Sequence, residues 1–258
     1  MFNFFKKVKE KQINVEVQEP TDYVDVTIIA RYFKNETGVD FDKQIDILKN
    51  KVMIFCKQRD INSFTKLLNR ISTDKNIKQE LIDCLTTNET FFYREFAQIE
   101  KLVNTVKTSE QEVKILCAPS ATGEEPYSIA IALLESGVSS KKFKILGIDI
   151  NNDALQKATK GIYKERNIKK LSSKIIDKYF DVNNDSYILN ASIKNLVTFK
   201  LANLFDESFK KLGKFDYILS RNMLIYFDKE TKNKAKNILE SMRKNDNQEI
   251  FFGHADLF

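Results

Sequence analysis

Between residues 23 and 71 the apolar positions recur at helical spacing in three successive sets. Val24, Ile28, Ile29, Tyr32 and Phe33 fit one face. Ile45, Leu48, Val52, Phe55 and Cys56 fit a second, and Phe64, Leu67, Leu68 and Ile71 a third. Gly38 separates the first two helices. The same spacing continues over 77–85 and 96–106, and then the period changes. Beyond a charged stretch at 107–112, apolar runs at 113–117, 143–149, 215–220 and 249–252 alternate with helical segments near 126–134, 153–160, 172–180 and 229–242. Shorter runs at 187–189 and 196–199 read as strands around a polar loop. Strand–helix alternation predicts a parallel sheet with right-handed crossovers. The expected class is α/β: a flexible lead over 1–20, an all-helical domain over 21–106, and a Rossmann-like domain over 107–258.

The stretch 115–131, ILCAPSATGEEPYSIAI, organises that second domain. It reads as a strand, a tight turn at Gly123 and a helix start, where Pro126 loses no hydrogen bond and Glu124 and Glu125 suit the positive helix end. Such a turn, at the carboxyl end of a strand, is where open α/β sheets bind nucleotide-like ligands. There is no G-x-G-x-x-G and no Gly-Lys-Ser/Thr ending, which argues against a dinucleotide or a triphosphate. Two carboxylates would repel phosphate; they suit a cationic or hydroxyl-rich ligand.

Composition narrows the chemistry. One histidine, His254, argues against a histidine metal site and a Ser-His-Asp triad, and no metal is expected. Cys56, Cys84 and Cys117 are odd in number and lack metal or disulfide spacing, which points to a reducing, cytoplasmic setting. The net charge of +6 is spread along the chain and is weak support for nucleic acid; it suits an acidic protein surface better. No apolar run reaches spanning length, so membrane insertion is not expected. The start, MFNFFKKVKEK, carries its apolar part before its charges and is not a signal peptide. A docking or frayed terminus is the preferred reading over a weak amphipathic anchor.

Three further places carry chemistry. Asp149 ends the strand KILGIDI, and a strand-end acid of such a fold commonly accepts from both ribose hydroxyls; read as structure alone, it caps the next helix. Asn203 and Leu204 follow the run at 197–201, where an Asn side chain and its neighbour's backbone suit an adenine edge. Arg221, Asn222 and Tyr226 lie just past FDYIL, and polar side chains of that kind are costly to bury without partners. The segment TTNETFFYRE adds Thr87, Asn88 and Thr90, three aromatic anchors and Arg94; alone it reads as a capped helix start.

Four blocks in this order, TTNETFFYRE, SATGEEPYSIAI, GIDINNDALQKATKGIY and FDYILSRNMLIYFDK, resemble the bacterial chemotaxis receptor methyltransferases, the CheR family. The resemblance runs from about residue 23 to the C-terminus. It implies a Rossmann-like methyltransferase domain that uses S-adenosylmethionine (AdoMet), with a small inserted β-subdomain at about 181–200. It implies methylation of glutamate side chains on the cytoplasmic helices of methyl-accepting receptors, leaving S-adenosylhomocysteine. By resemblance Asn88, Thr90, Arg94, Glu125, Asp149, Asn203, Leu204, Arg221 and Asn222 match cofactor-pocket positions, and Arg94 and Tyr226 match positions facing the reacting methyl. A glutamate nucleophile is already ionised at neutral pH and needs no general base, in keeping with a single histidine. The alternatives are a non-catalytic AdoMet-binding sensor of the same fold, and a nucleic-acid or small-molecule methyltransferase. Intact Arg94 and Tyr226 count against the first. SRNM, in place of an Asn/Asp-Pro-Pro-aromatic motif, counts against the second.

The chain departs from the family pattern in three places. Pro119 stands where the family usually has Gly. The segment 181–192 looks short and glycine-poor beside members that grip a receptor C-terminal peptide. The sequence stops at HADLF, where relatives often continue into a hairpin. The second helix carries Lys43, Lys51 and Lys57 beside Ile47 and Ile54, and is the expected docking surface for a receptor helix, with the enzyme a monomer.

Overall fold

The computed structural model describes residues 21–256, so the lead over 1–20, its docking and its anchor readings all lie outside the described residues. Five helices come first: α1 (Thr27–Thr37), α2 (Ile45–Lys57), α3 (Phe64–Thr73), α4 (Lys75–Leu85) and α5 (Phe96–Lys107). The next elements are β1 (Val113–Cys117), α6 (Glu124–Glu135), β2 (Phe143–Asp149), α7 (Asn152–Lys160), β3 (Ile162–Tyr163), α8 (Glu165–Ile168) and α9 (Ser173–Tyr179). Beyond these lie β4 (Phe180–Asn183), β5 (Ser186–Leu189), α10 (Ala191–Lys194), β6 (Val197–Leu201), α11 (Glu207–Lys210), β7 (Tyr217–Ser220), α12 (Lys229–Ser241) and β8 (Ile250–Phe252).

Capping chemistry sets the helix ends that periodicity alone blurs. Ser63 Oγ accepts from the Lys66 amide at the start of α3, and the Asp74 carboxylate accepts from the Asn76 and Ile77 amides, which starts α4 two residues before its first periodic position. Gly38, at φ 78°, closes α1 by donating to the Lys34 carbonyl. Helices α1 to α4 bury Phe33, Leu48, Phe55, Phe64, Leu67 and Leu81 in one cluster.

The large sheet is parallel throughout and ordered β6-β2-β1-β7-β8. Its strand residues alternate between two covered faces. Ile115 and Cys117 pack in the cluster with α5 and α6, whereas Leu116 and Ala118 pack in the cluster with α12. The chain builds outward from β1 through β2 to β6, then crosses to β7 and β8. That reversal between β1 and β7 opens a crevice at the carboxyl ends of the strands. Helix α5 was expected with the N-terminal helices, but it buries Ile99, Leu102, Val103 and Val106 in the sheet cluster.

The small antiparallel sheet is made otherwise than expected at 181–200. Its order is β3-β5-β4, so it draws one strand from residues 162–163. Gly161, at φ 65°, turns the end of α7 into that strand, and Asn184, at φ 49°, closes the β4–β5 hairpin. The run at 196–199 is not part of it. Strand β6 pairs with β2, with Leu201 opposite Asp149, because a fully extended apolar segment there covers the open edge of the large sheet.

Phe92, fully buried, joins the segment before α5 to the small sheet. Its ring meets Tyr163 edge-on at 4.9 Å and Phe180 at 5.4 Å. Phe92→Ala is expected to lower unfolding free energy by about 3–5 kcal/mol, while Phe91→Ala at the half-buried neighbouring position costs about 1 kcal/mol or less. Urea denaturation of the two variants reads this directly; equal losses would mean that Phe92 is not the joint described.

Candidate active site

A cleft of about 750 Å³ opens at the carboxyl ends of the strands. Its floor is the turn after β1 and the end of β2. The turn is held by the Ala118 amide donating to Leu219 and the Ser120 amide donating to Ile148. Gly147 has to be bare: a Cβ there would stand 2.8 Å from the Phe199 ring and 2.9 Å from Ser120 Cβ. Pro119, in a cis peptide with Ala118, and Ala121 both line the cleft.

Asp149 lies on this floor and is 5% exposed. One carboxylate oxygen accepts from the Ala121 amide at 2.8 Å and the other from the Asn151 amide at 2.9 Å. A carboxylate has about four acceptor sites, so capacity remains for two hydroxyl donors from the cleft. Burial pushes the Asp149 pKa up to about 6, against the pull of the backbone donors, with the Asp83 charge adding to the rise. The cap of α7 is Asn151 instead: its side-chain oxygen accepts from Ala154, and its amide donates to the Asp83 carbonyl and Thr86 Oγ1. That bond holds the end of α4 at the cleft wall, where Thr87 and Asn88 line the cavity.

The two acids at the start of α6 have separate partners. Glu124 is wholly enclosed and accepts from Thr122 Oγ1 and the Asn167 side chain, so burial raises its pKa while these donors oppose the rise. Only Glu125 faces the end of β7. It pairs with the Arg221 guanidinium, which also donates to the Arg94 carbonyl at 2.8 Å. Arg221 is 6% exposed and Glu125 8%. The second Glu125 oxygen is buried with no hydrogen-bond partner among the described residues. An acid with an unspent acceptor suits a cationic donor such as an ammonium, but neither Glu125 nor Arg221 lines the cleft.

The opposite wall is the turn 222–228. Asn222 has φ 60°, and its amide donates to the buried Asp256 carboxylate, which also accepts from Gly253 and Ile225. Asp256 was not anticipated from the sequence; an acid four residues past the last strand reads as an ordinary turn residue until its amide partners are known. Burial raises its pKa, and the backbone donors counter that. Tyr226 lines the cleft and is 37% exposed. Non-glycine residues with positive φ gather here: Tyr93, Glu95, Ala121 and Asn222. Backbone of that kind persists only where surroundings hold it, which is common at functional sites.

The remaining expected site residues stand as follows. Thr90 is half-buried outside the cleft, with its carbonyl accepting from Asn167 at 3.4 Å. The Arg94 guanidinium does not line the cleft. It lies 5.8 Å from the Phe91 ring and lines a separate crevice with Tyr93, Phe96 and Lys170. Asn203 spends its amide on the Glu36 carbonyl at 2.6 Å and its oxygen on the Phe205 amide, and Leu204 is core beneath it. Neither lines the cleft. From α2 and the turn before it, Lys43, Ile47 and Lys51 form part of the rim, whereas Lys57 is exposed farther along.

The family model described as CheR methyltransferase, SAM binding domain, matches residues 88–258. A chemotaxis protein methyltransferase of Campylobacter jejuni is 34% identical over 251 residues, covering 96% of this chain and 92% of that protein. One from Borreliella burgdorferi is 30% identical, with the same coverage of 96% and 92%. One from Salmonella typhimurium is 30% identical, covering 84% and 77%. Every residue discussed around the cleft from Asn88 onward falls inside the matched segment, and with relatives of this length and identity the chain belongs to the CheR family of chemotaxis methyltransferases, residues 88–258 forming its SAM-binding domain.

Proposed function

We propose that the chain methylates glutamate side chains on the cytoplasmic helices of methyl-accepting chemotaxis receptors, giving glutamyl methyl esters. The observation that carries this is one cleft with Asp149 on its floor and lysines beside an apolar Ile47 on its rim. Asp149 offers acceptors for a hydroxyl-rich cofactor, and Lys43, Ile47 and Lys51 offer a surface for an acidic amphipathic helix. The bound AdoMet supplies an electrophilic methyl group on a sulfonium. When bound it would supply that methyl to the glutamate oxygen and leave as S-adenosylhomocysteine.

The residues around the cleft then have distinct tasks. Asp149 takes the ribose hydroxyls, with Asn88 lining the same cleft, and the unpaired oxygen of Glu125 takes the amino-acid ammonium. The pair with Arg221 holds the Glu125 side chain in place. Tyr226 orients the acceptor carboxylate from the cleft wall. Arg94 and Lys170, in a separate crevice, attract the acceptor acid as it approaches. Rate enhancement comes from holding an already ionised nucleophile in line and from removing its water.

The direct experiment mixes the protein with labelled AdoMet and receptor-rich membranes. Alkali-labile carboxyl methyl esters should appear on receptors, and Tyr226→Phe should slow their formation with AdoMet affinity nearly unchanged. Binding without any ester would instead identify a non-catalytic sensor, and label that resists alkali would identify a different acceptor.

Asp149 generates a second test. Asp149→Ala should weaken AdoMet binding about tenfold to a hundredfold, the loss of roughly 1.5–3 kcal/mol for hydrogen bonds to a charged group. In the free protein its pKa lies near 6, above the unfolded value, so protonation favours the free fold as pH falls. Hydroxyl donors need the carboxylate, so AdoMet affinity should fall as pH drops through about 6, by up to about tenfold per unit below it. Calorimetry at pH 7.5 and pH 5 reads the slope; Asp149→Asn should abolish it, and an equal slope in that variant would assign it elsewhere.

Docking generates a third. Reversing Lys51 and Lys57 together to Glu should cut receptor methylation strongly at low salt and less at high salt, with AdoMet affinity unchanged. Removing the last residues of the receptor should matter little. A large loss on that removal, with no effect of the charge reversal, would show that a tethering peptide carries recognition.

A further inference from the structure

The loop that leads into α2 is stitched to the turn that carries Tyr226. The Asp40 amide donates to the Tyr226 carbonyl at 2.8 Å. Around that bond stand two carboxylates, Asp40 and Asp228, and both line the cleft. Lys34, on the last turn of α1, reaches both: Nζ lies 2.8 Å from Asp40 Oδ2 and 2.7 Å from Asp228 Oδ2. Each carboxylate is itself committed to backbone, Asp40 Oδ1 to the Asp42 amide and Asp228 Oδ1 to the Thr231 amide that starts α12. One ammonium therefore joins three pieces of chain: the end of α1, the loop before α2, and the start of α12.

The neighbourhood leaves little slack. A Cβ on Gly38 would stand 2.5 Å from the Phe205 ring and 2.9 Å from Thr231, so the end of α1 lies directly against the sheet side. The Asn203 amide fixes the Glu36 carbonyl one turn away. The Lys34 ammonium binds its proton more tightly than usual because of its two acidic partners, and Lys34 holds the Asp228 carboxyl well below its ordinary range. Without the ammonium, two anions would face each other across the Asp40–Tyr226 bond.

We infer that Lys34 is a positioning residue for methyl transfer: by bridging Asp40 and Asp228 it holds the main chain of Tyr226, and so couples the position of α2 to the cleft wall. This rests on the reading of Tyr226 as a residue beside the reacting groups. The bridge is partly exposed, and ion pairs of that kind add little to global stability. Its effect is on geometry, where a small misplacement of a reacting group is costly in rate.

The test uses the full chain and Lys34→Met, which keeps the side-chain length and removes the charge. Its kcat for receptor methylation should fall about tenfold, with the AdoMet dissociation constant unchanged. Lys34→Arg should restore most of the rate, and the melting temperature of both variants should stay near that of the wild type. Amide hydrogen exchange gives a second readout that needs no receptor. Residues 40–42 and 224–228 should exchange faster in Lys34→Met, while β1 and β2 stay unchanged. Unaltered exchange in those two segments, or a wild-type kcat in Lys34→Met, overturns the inference. If the wild-type protein forms no receptor esters, the functional reading fails, and the exchange arm alone decides whether the bridge holds Tyr226.

Discussion

One buried charge, the Arg221 guanidinium, ties together segments far apart in the chain, although neither it nor its partner Glu125 lines the cleft. It stands at the end of β7, pairs with Glu125 at the start of α6, and donates to the Arg94 carbonyl in the segment before α5. A buried pair of this kind adds little net stability, because desolvation offsets the attraction, yet removing one partner is costly. Its value here is specificity of position. It locks together three of the four sequence blocks that carry the family resemblance. The Asp256 carboxylate does the same for the turn that follows, through the amides of Asn222, Gly253 and Ile225.

With that node in place, the local irregularities become intelligible. The positive φ values at Tyr93, Glu95, Ala121 and Asn222 lie next to the Arg221 or Asp149 hydrogen bonds. Each is a place where the backbone bends sharply to present an amide, a carbonyl or a side chain inward. The floor offers acceptors and the rim offers ammonium groups, so a single cleft can hold a cationic cofactor at one end and attract an acid at the other. The Lys34 bridge extends this order to α2, whose lysines form part of that rim.

Much of this was readable from the sequence where the signal was local. Strand–helix alternation, the Gly123 turn and the strand-end Asp149 all declare themselves through periodicity and residue type. What could not be read was the partner that claims each polar group. Asn203 looks free for a ligand until Glu36, far earlier in the chain, is seen to take its amide. Glu124 and Glu125 look equivalent until Asn167 and Arg221 divide them. Likewise β6 looked like part of the small sheet, because a five-residue strand carries no mark of which edge it will cover. Arg94 shows the same limit: the family resemblance implied the cofactor pocket, but its side chain lies near Phe91 in another crevice.

AdoMet, bound as proposed, would lie between Asp149, Glu125 and Tyr226. The most direct measurement is a crystal structure of the protein with S-adenosylhomocysteine. The ribose hydroxyls should lie on the Asp149 carboxylate, the ammonium should reach the unpaired oxygen of Glu125, and the sulfur should face Tyr226. A ligand bound away from Asp149, or a Glu125–Arg221 pair broken apart in the bound protein, would contradict this placement.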